Sequence, residues 1–323
     1  LIRPEIPGYV VAPAMAQRVG IAALDRFHAR QGDEFLLNSF GTTPGAWGRF
    51  FGRSSDQSWS PSIGGMDFQL APSLDSRIWG IQAGLDLLGR ETDSGAQDRL
   101  GVFLTHTDAS GETTGNTLGL LQNESGRLSL EGNGLGAYWT HIEPEGWYLD
   151  AVAMVTWLRG GATSDRGIGA DISGSSVLAS LEAGYPFVLT EDWTLEPQAQ
   201  LIWQHVDLND TSDAFSSIDY DAFQSVTGRL GVRLEGNMTL NDMPIQPFVD
   251  LNLWHDFSSS YTVTFNDRLV RTNLEGTSLE FGGGVSAQAS ENVSAFGALS
   301  YTTSLDGSGN EGFGGNFGLR IKW

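Results

Sequence analysis

From Ala46 to the final residue, apolar and polar side chains alternate with a period of two, the pattern of strands with one apolar face. The most regular stretch is the last. In Phe313-Gly-Gly-Asn-Phe-Gly-Leu-Arg-Ile-Lys-Trp323, the side chains of Phe313, Phe317, Leu319, Ile321 and Trp323 share one face of an extended chain. Asn316, Gly318, Arg320 and Lys322 share the other. A strand of about ten residues, apolar toward lipid, polar toward a lumen and ending on an aromatic, is what a membrane-crossing β-strand requires.

Twelve such strands are expected, starting near Ala46, Arg77, Arg99, Leu128, Gly146, Ser175, Trp193, Phe223, Ile245, Leu274, Asn292 and Gly312. Their connections sort by length. Ser54–Ser76, Asp108–Arg127, Arg159–Gly174, Asp207–Ala222, Phe257–Asn273 and Asp306–Glu311 follow the odd-numbered strands. Shorter ones, such as Glu143-Pro-Glu145 and Glu191-Asp192, follow the even-numbered strands. Long loops at one end and tight turns at the other predict an all-β, 12-stranded antiparallel up-and-down outer-membrane barrel. A β-sandwich has no reason to sort its loops in this way.

Before Ala46 the period changes. Tyr9–Gly32 is Ala-rich, carries Pro13 where a first-turn proline is tolerated, and stops at a glycine. Met15, Val19, Ala22, Ala23 and Phe27 recur at helical spacing, with Arg18, Arg26 and Arg30 on other faces. A helix of about 19 residues is roughly 28 Å long, near the thickness of a bilayer core. Its arginines suit a polar pore rather than lipid. Residues 1–45 are therefore expected to form a linker and a pore-spanning helix, and residues 46–323 the barrel.

The polar strand faces supply the lining. Asp86, Glu182, Glu196, Arg229, Arg233, Glu235, Asp250 and Glu280 all fall opposite apolar positions. Such charges are expensive in a dry core but stable in a hydrated lumen, where the helix arginines could pair with them. Trp147, Tyr148, Trp193 and Trp323 lie near the short turns, and Trp157, Trp203, Trp254 and Tyr261 toward the long loops, as two interfacial aromatic belts would.

Composition narrows the function. A formal net charge of −21 argues against nucleic acid, which needs a basic surface. The absence of cysteine removes disulfides and thiolate metal sites. No run approaches eighteen apolar residues, so no transmembrane helix is encoded. His205 with Asp207 and His255 with Asp256, near the long-loop rim, are the weak candidates for hydrolysis; no Gly-x-Ser-x-Gly, His-Glu-x-x-His or P-loop pattern occurs. No cofactor, metal or catalytic residue is expected. The competing readings are a channel with a plug helix, a barrel hydrolase and a soluble β-sandwich.

Several blocks together resemble the β-domain of type Va autotransporters, in their pertactin-like subgroup. They are Pro13-Ala-Met-Ala16, Gly32-Asp-Glu34, Ala46-Trp-Gly-Arg-Phe-Phe-Gly52, Gly146-Trp-Tyr-Leu-Asp150, Ser180-Leu-Glu-Ala-Gly184, Trp193-Thr-Leu-Glu-Pro-Gln198, Gly228-Arg-Leu-Gly231 and Gln246-Pro-Phe248. The resemblance implies a monomeric translocator in the outer membrane of a Gram-negative bacterium, in contact with lipid and lipopolysaccharide. It further implies delivery by periplasmic chaperones, insertion by the barrel-assembly machinery, and a linked or cleaved virulence or adhesion passenger exported by type V secretion. The terminal strand with Phe317, Leu319, Ile321 and Trp323 would be the assembly signal. Some relatives cut the passenger at an asparagine in the helix; here no asparagine precedes Asn38, so the passenger is either cut upstream of Leu1 or retained.

Overall fold

Twelve long strands, each antiparallel to its sequence neighbour, form a sheet that closes when the last strand pairs with the first. The computed structural model describes residues 2–32, 45–63, 70–306 and 310–323. The strands are β1 (Gly45–Ser58), β2 (Ser73–Glu91), β3 (Gln97–Thr117), β4 (Leu120–Ile142), β5 (Tyr148–Ser164) and β6 (Gly169–Gly184). They continue as β7 (Trp193–Leu208), β8 (Phe223–Gly236), β9 (Met243–Phe265), β10 (Gly276–Ser290), β11 (Val293–Ser304) and β12 (Glu311–Lys322). Closure runs from Gly45 opposite Lys322 to Asp56 opposite Glu311. The even strand number puts both chain ends of the barrel at one rim, called here the turn end; the other rim is the loop end.

Alternation decides which side chains face the membrane. On β2, Trp79, Ile81 and Leu85 are exposed outward while Gln82 and Asp86 are buried inward. On β12, Phe317, Leu319 and Ile321 face outward, between 43 and 56% exposed, while Arg320 is buried. An apolar surface this extensive around the whole barrel is stable only against lipid.

The connections depart from the expected sorting. Of the predicted loop Asp108–Arg127, all but Leu118-Gly119 is strand. Both turn residues have positive φ (55 and 81°), the geometry of a two-residue hairpin turn. Arg159–Gly174 likewise shrinks to a turn at 165–168. Small and polar residues read as loop, but here their inward members (Thr113, Thr117, Ser125, Ser164) are buried, and the hairpins continue past the apolar band. The loops after β1 and β11 fall partly outside the described residues, as do Asp33, Glu34 and Asn38.

A β-bulge resets β9. Val226 pairs with Ser258 and Thr227 with Asp256, leaving Phe257 as the extra residue. On one side of it Asp250 and Asn252 face inward; beyond it Ser259, Tyr261, Val263 and Phe265 do. One inserted residue moves every later side chain to the opposite face.

Candidate functional site

The lumen holds two helices, α1 (Ile6–Leu24) and α2 (Phe27–Gln31). The expected single helix from Pro13 is corrected at both ends. Pro7, not Pro13, occupies the first turn; Pro13 sits inside α1, and the helix breaks at Asp25. Asp25 adopts φ 56°, unfavourable for a residue with a Cβ. Arg49 of β1 holds it there. Its guanidinium reaches the Asp25 carboxylate at 2.7 Å and donates to the Ala23 and Ala29 carbonyls at 2.7 and 3.4 Å. Gln82 donates to the same Ala23 carbonyl and Gln200 to that of Asp25. Carbonyls left over at the end of α1 are thus satisfied by the barrel wall.

Around α2 the lining is charged. Arg26 pairs with Asp250 at 2.7 Å and lies 3.8 Å from Glu280. His28 Nε2 lies 2.9 Å from Glu196, and Arg30 contacts both oxygens of Asp150. The Phe27 backbone N–H donates to Glu182, while its ring stands 4.6 Å from that of Tyr148, whose hydroxyl donates to the same carboxylate. Arg229 approaches Glu182 at 2.9 Å and donates to Gln198, Gln200 and Asn252. Arg320 of the terminal strand bridges Gln31 and Asp86. Arg233 chelates Glu235 and lies over the Phe248 ring. The eight acidic and basic lining residues read from the strands therefore share this half of the lumen.

Toward the loop end the lumen is different, and the expectation of a polar, hydrated pore fails there. Tyr9, Val10, Val11, Met15 and Val19 are fully buried among inward residues of the extended hairpins, including Leu74, Leu128, Leu158, Ile172, Val206 and Val263. Here the wall is apolar because it faces a helix rather than water. Arg18 lies between the two halves. It has no carboxylate within ion-pair distance among the described residues and donates instead to Ser55 and Asn310 at 2.6 and 2.8 Å.

The start of the chain is fastened at the loop-end rim. Arg3 donates to Ser216 at 2.7 Å, approaches Asp213 and stacks its guanidinium on Phe215; the Tyr9 hydroxyl also donates to Asp213. The Leu118 N–H donates to the Ile2 carbonyl. Burial alone would raise the Asp213 pKa, but bonds from the Phe215 and Ser216 N–H groups, with Arg3, hold its carboxyl below the usual range. None of the contacts that fasten Ile2, Arg3 and Tyr9 is legible in sequence, since each joins residues more than 100 positions apart. Arg49 and Asp150 lie inside the sequence blocks quoted above, but each shares its inward face with apolar neighbours, Trp47 and Phe51 for the one and Tyr148, Val152 and Met154 for the other, so alternation does not mark them as lumenal.

Three members of the expected aromatic belts are corrected. Trp254 lies inward, 5.7 Å from the Arg229 guanidinium, as its parity with Asn252 requires. Tyr148 is buried against Phe27, and Tyr261, turned inward by the bulge, donates to the Val10 carbonyl. Trp157, Trp193, Trp203 and Trp323 remain exposed on the outside. The rim His–Asp pairs do not assemble. Asp256 accepts from Thr227 while His255 packs edge-on to Phe257 and bonds Thr277, and His205 stacks on Trp203 with Asp207 exposed beside it.

Comparison places this architecture. The family model described as autotransporter beta-domain matches residues 46–300. The uncharacterized protein YdeU of Escherichia coli K12 is 28% identical, covering 99% of this chain and 70% of its own. The adhesin BmaC autotransporter of Brucella suis is 28% identical over 78% of this chain, and the pertactin autotransporter of Bordetella bronchiseptica 27% identical over 80%. The chain spans only 8% and 27% of those two relatives. Among solved structures, the transport unit of the autotransporter AIDA-I from E. coli superposes with a TM-score of 0.75 at 17% identity, each chain covered fully. The β-domain of the Bordetella autotransporter BrkA gives 0.63 at 20% identity, with 87% of this chain and 100% of that one covered.

Proposed function

The chain belongs to the autotransporter β-domain family, and from that premise we propose that this is the barrel after export, sealed by the segment that joins it to a surface passenger. A member of this family is an outer-membrane translocator of a Gram-negative bacterium. The observation that carries the finer reading is the polarity of the plug. Gln31 bonds Arg320 near the turn end, and Ile2 bonds Leu118 at the loop end.

Outer-membrane barrels keep their short turns in the periplasm. On that orientation the helix points its N-terminus outward, where a passenger would hang. Lipid and lipopolysaccharide would cover the apolar band. Periplasmic chaperones and the barrel-assembly machinery would deliver the chain, reading the outward side chains of Phe317, Leu319, Ile321 and Trp323. An adhesion passenger is the first candidate, because BmaC is named an adhesin. The barrel's role is mechanical, and without an asparagine in the helix we assign no passenger cleavage to the pore.

Single cysteines test the orientation, as the native chain has none. Leu121→Cys, at the tip of the β3–β4 hairpin, should react on intact cells with a thiol reagent that cannot cross the outer membrane. Pro144→Cys, in a short turn, should react only after that membrane is opened. The reverse pattern would overturn the orientation and the export role with it.

A further inference from the structure

On the outer wall, the strands β3 and β4 turn polar together. The outward residues of β3 run Leu100, Val102 and Leu104, then His106, Asp108 and Ser110. Those of β4 run Leu135, then Asn133, Glu131 and Ser129. The register sets them side by side, His106 opposite Asn133, Asp108 opposite Glu131 and Ser110 opposite Ser129. Two tryptophans frame this polar niche. Trp79 of β2 pairs with Asp108 and Trp157 of β5 with Asn133, and both are exposed on the outside. Exposed indoles mark the membrane–water boundary, which puts the niche at headgroup level in the loop-end leaflet. Two residues nearer the loop end, Arg77 follows Trp79 and Arg159 follows Trp157 on the same outward faces. The His106 ring stands edge-on to Trp79, with Nδ1 2.9 Å from Asn133 Oδ1. The charged groups are unengaged. Among the described residues, the side chains of Arg77, Asp108, Glu131 and Arg159 make no hydrogen bond or ion pair. Asp108 and Glu131, directly opposite, repel each other until a donor comes between them.

We propose that this niche seats the phosphorylated sugar headgroup of an outer-leaflet glycolipid, the chemistry that lipopolysaccharide presents. The apolar faces of the sugar rings pack on the indoles, and their hydroxyl and amide groups donate to Asp108 and Glu131. The two arginines take phosphates at the ends. Three strand spacings and a two-residue offset separate Arg77 from Arg159, roughly 15 Å between Cα atoms. That separation suits a disaccharide phosphorylated at both ends; the single phosphate of a glycerophospholipid reaches only one arginine. The assignment rests on the loop end facing outward, where such lipids lie. Binding in micelles does not depend on orientation, so it can fail while the cysteine labelling holds.

The full chain in detergent micelles, titrated with a short-chain lipopolysaccharide and read by native mass spectrometry, provides the test. One molecule should bind, about tenfold more tightly than phosphatidylglycerol or the same glycolipid stripped of its phosphates. Arg77→Gln with Arg159→Gln should weaken binding about tenfold. Arg268→Gln, an exposed arginine on the hairpin after β9, should leave it unchanged. Asp108→Leu with Glu131→Leu should weaken it about threefold, because the sugar loses its acceptors. Tighter binding by that variant would overturn the proposal, since the acids would then only repel phosphate. Equal affinity for phosphatidylglycerol or for the phosphate-free glycolipid would overturn it too. So would equal losses in Arg268→Gln and the double arginine variant, which would reduce the wall to unspecific attraction. Should the double arginine variant not fold, Arg159→Gln alone decides, and an unchanged affinity refutes the site.

Discussion

Arg30 of the plug and Asp150 of β5, 120 residues apart in sequence, meet at 2.8 Å with both side chains almost wholly buried. Thr140 donates to the same carboxylate and the Tyr138 ring lies under the guanidinium. A buried ion pair adds little net stability over an apolar pair, yet breaking one partner is costly because the other charge stays in a poor solvent. The pair therefore specifies the position of α2 more than it strengthens the barrel.

Asp150→Asn should lower barrel stability by about 3–5 kcal/mol if the plug stays in place. If α2 leaves the lumen instead, the loss is smaller and residues 27–31 become accessible to protease. The double change Arg30→Met with Asp150→Leu should restore most of the stability. Thermal loss of the compact, fast-migrating form on gels, read beside proteolysis, separates these outcomes.

Acid should loosen the rim before it unfolds the barrel. The Asp213 carboxyl ionises more readily in the folded protein than in the unfolded chain. The stability it contributes is complete above the unfolded value of about 3.9 and is lost as pH falls through the lower folded value. Amide exchange at residues 3–9, corrected for its intrinsic pH dependence, should stay constant from neutrality down to about pH 4 and then accelerate. Asp213→Asn should show the accelerated exchange already at neutral pH and remove the acid step.

Gly84 lets Trp47 lie flat against the barrel wall. A Cβ there would stand 2.3 Å from the indole ring, which is itself anchored by its N–H to the Tyr138 hydroxyl. Gly84→Ala should cost about 1–3 kcal/mol and shift the tryptophan fluorescence. Gly48→Ala on the neighbouring strand, where the nearest atom is 3.5 Å away, should be tolerated.

The terminal strand closes the seam, with Phe317 opposite Phe50 and Leu319 opposite Gly48. Deleting Trp323, or extending the chain with charged residues, should reduce the amount of folded barrel in the outer membrane of cells. Refolding of the purified variant in detergent should be little affected, since Trp323 lies beyond the last paired residue, Lys322. Equal membrane levels would remove its role as an assembly signal.

Alternation along the chain was sufficient to count the strands, to place Arg229, Asp250 and Glu280 on the lumenal side, and to identify the terminal strand. Each of those rests on a period of two that neighbouring residues state for themselves. The helix was legible for the same reason, through its own period and its arginines. Tertiary structure alone decided the rest. The Phe257 bulge, which turns Tyr261 inward, is a register choice between two strands and leaves no mark on either one. The break at Asp25 exists because Arg49 and Gln82 arrive from the wall to take up carbonyls that a straight helix would bond internally. Leu128 and Val206 are lumenal although apolar, because the surface they meet is Val10 and Met15 rather than water. Parity reports that a residue faces the other side of a sheet; what waits there is fixed only when the chain has closed around its own N-terminus.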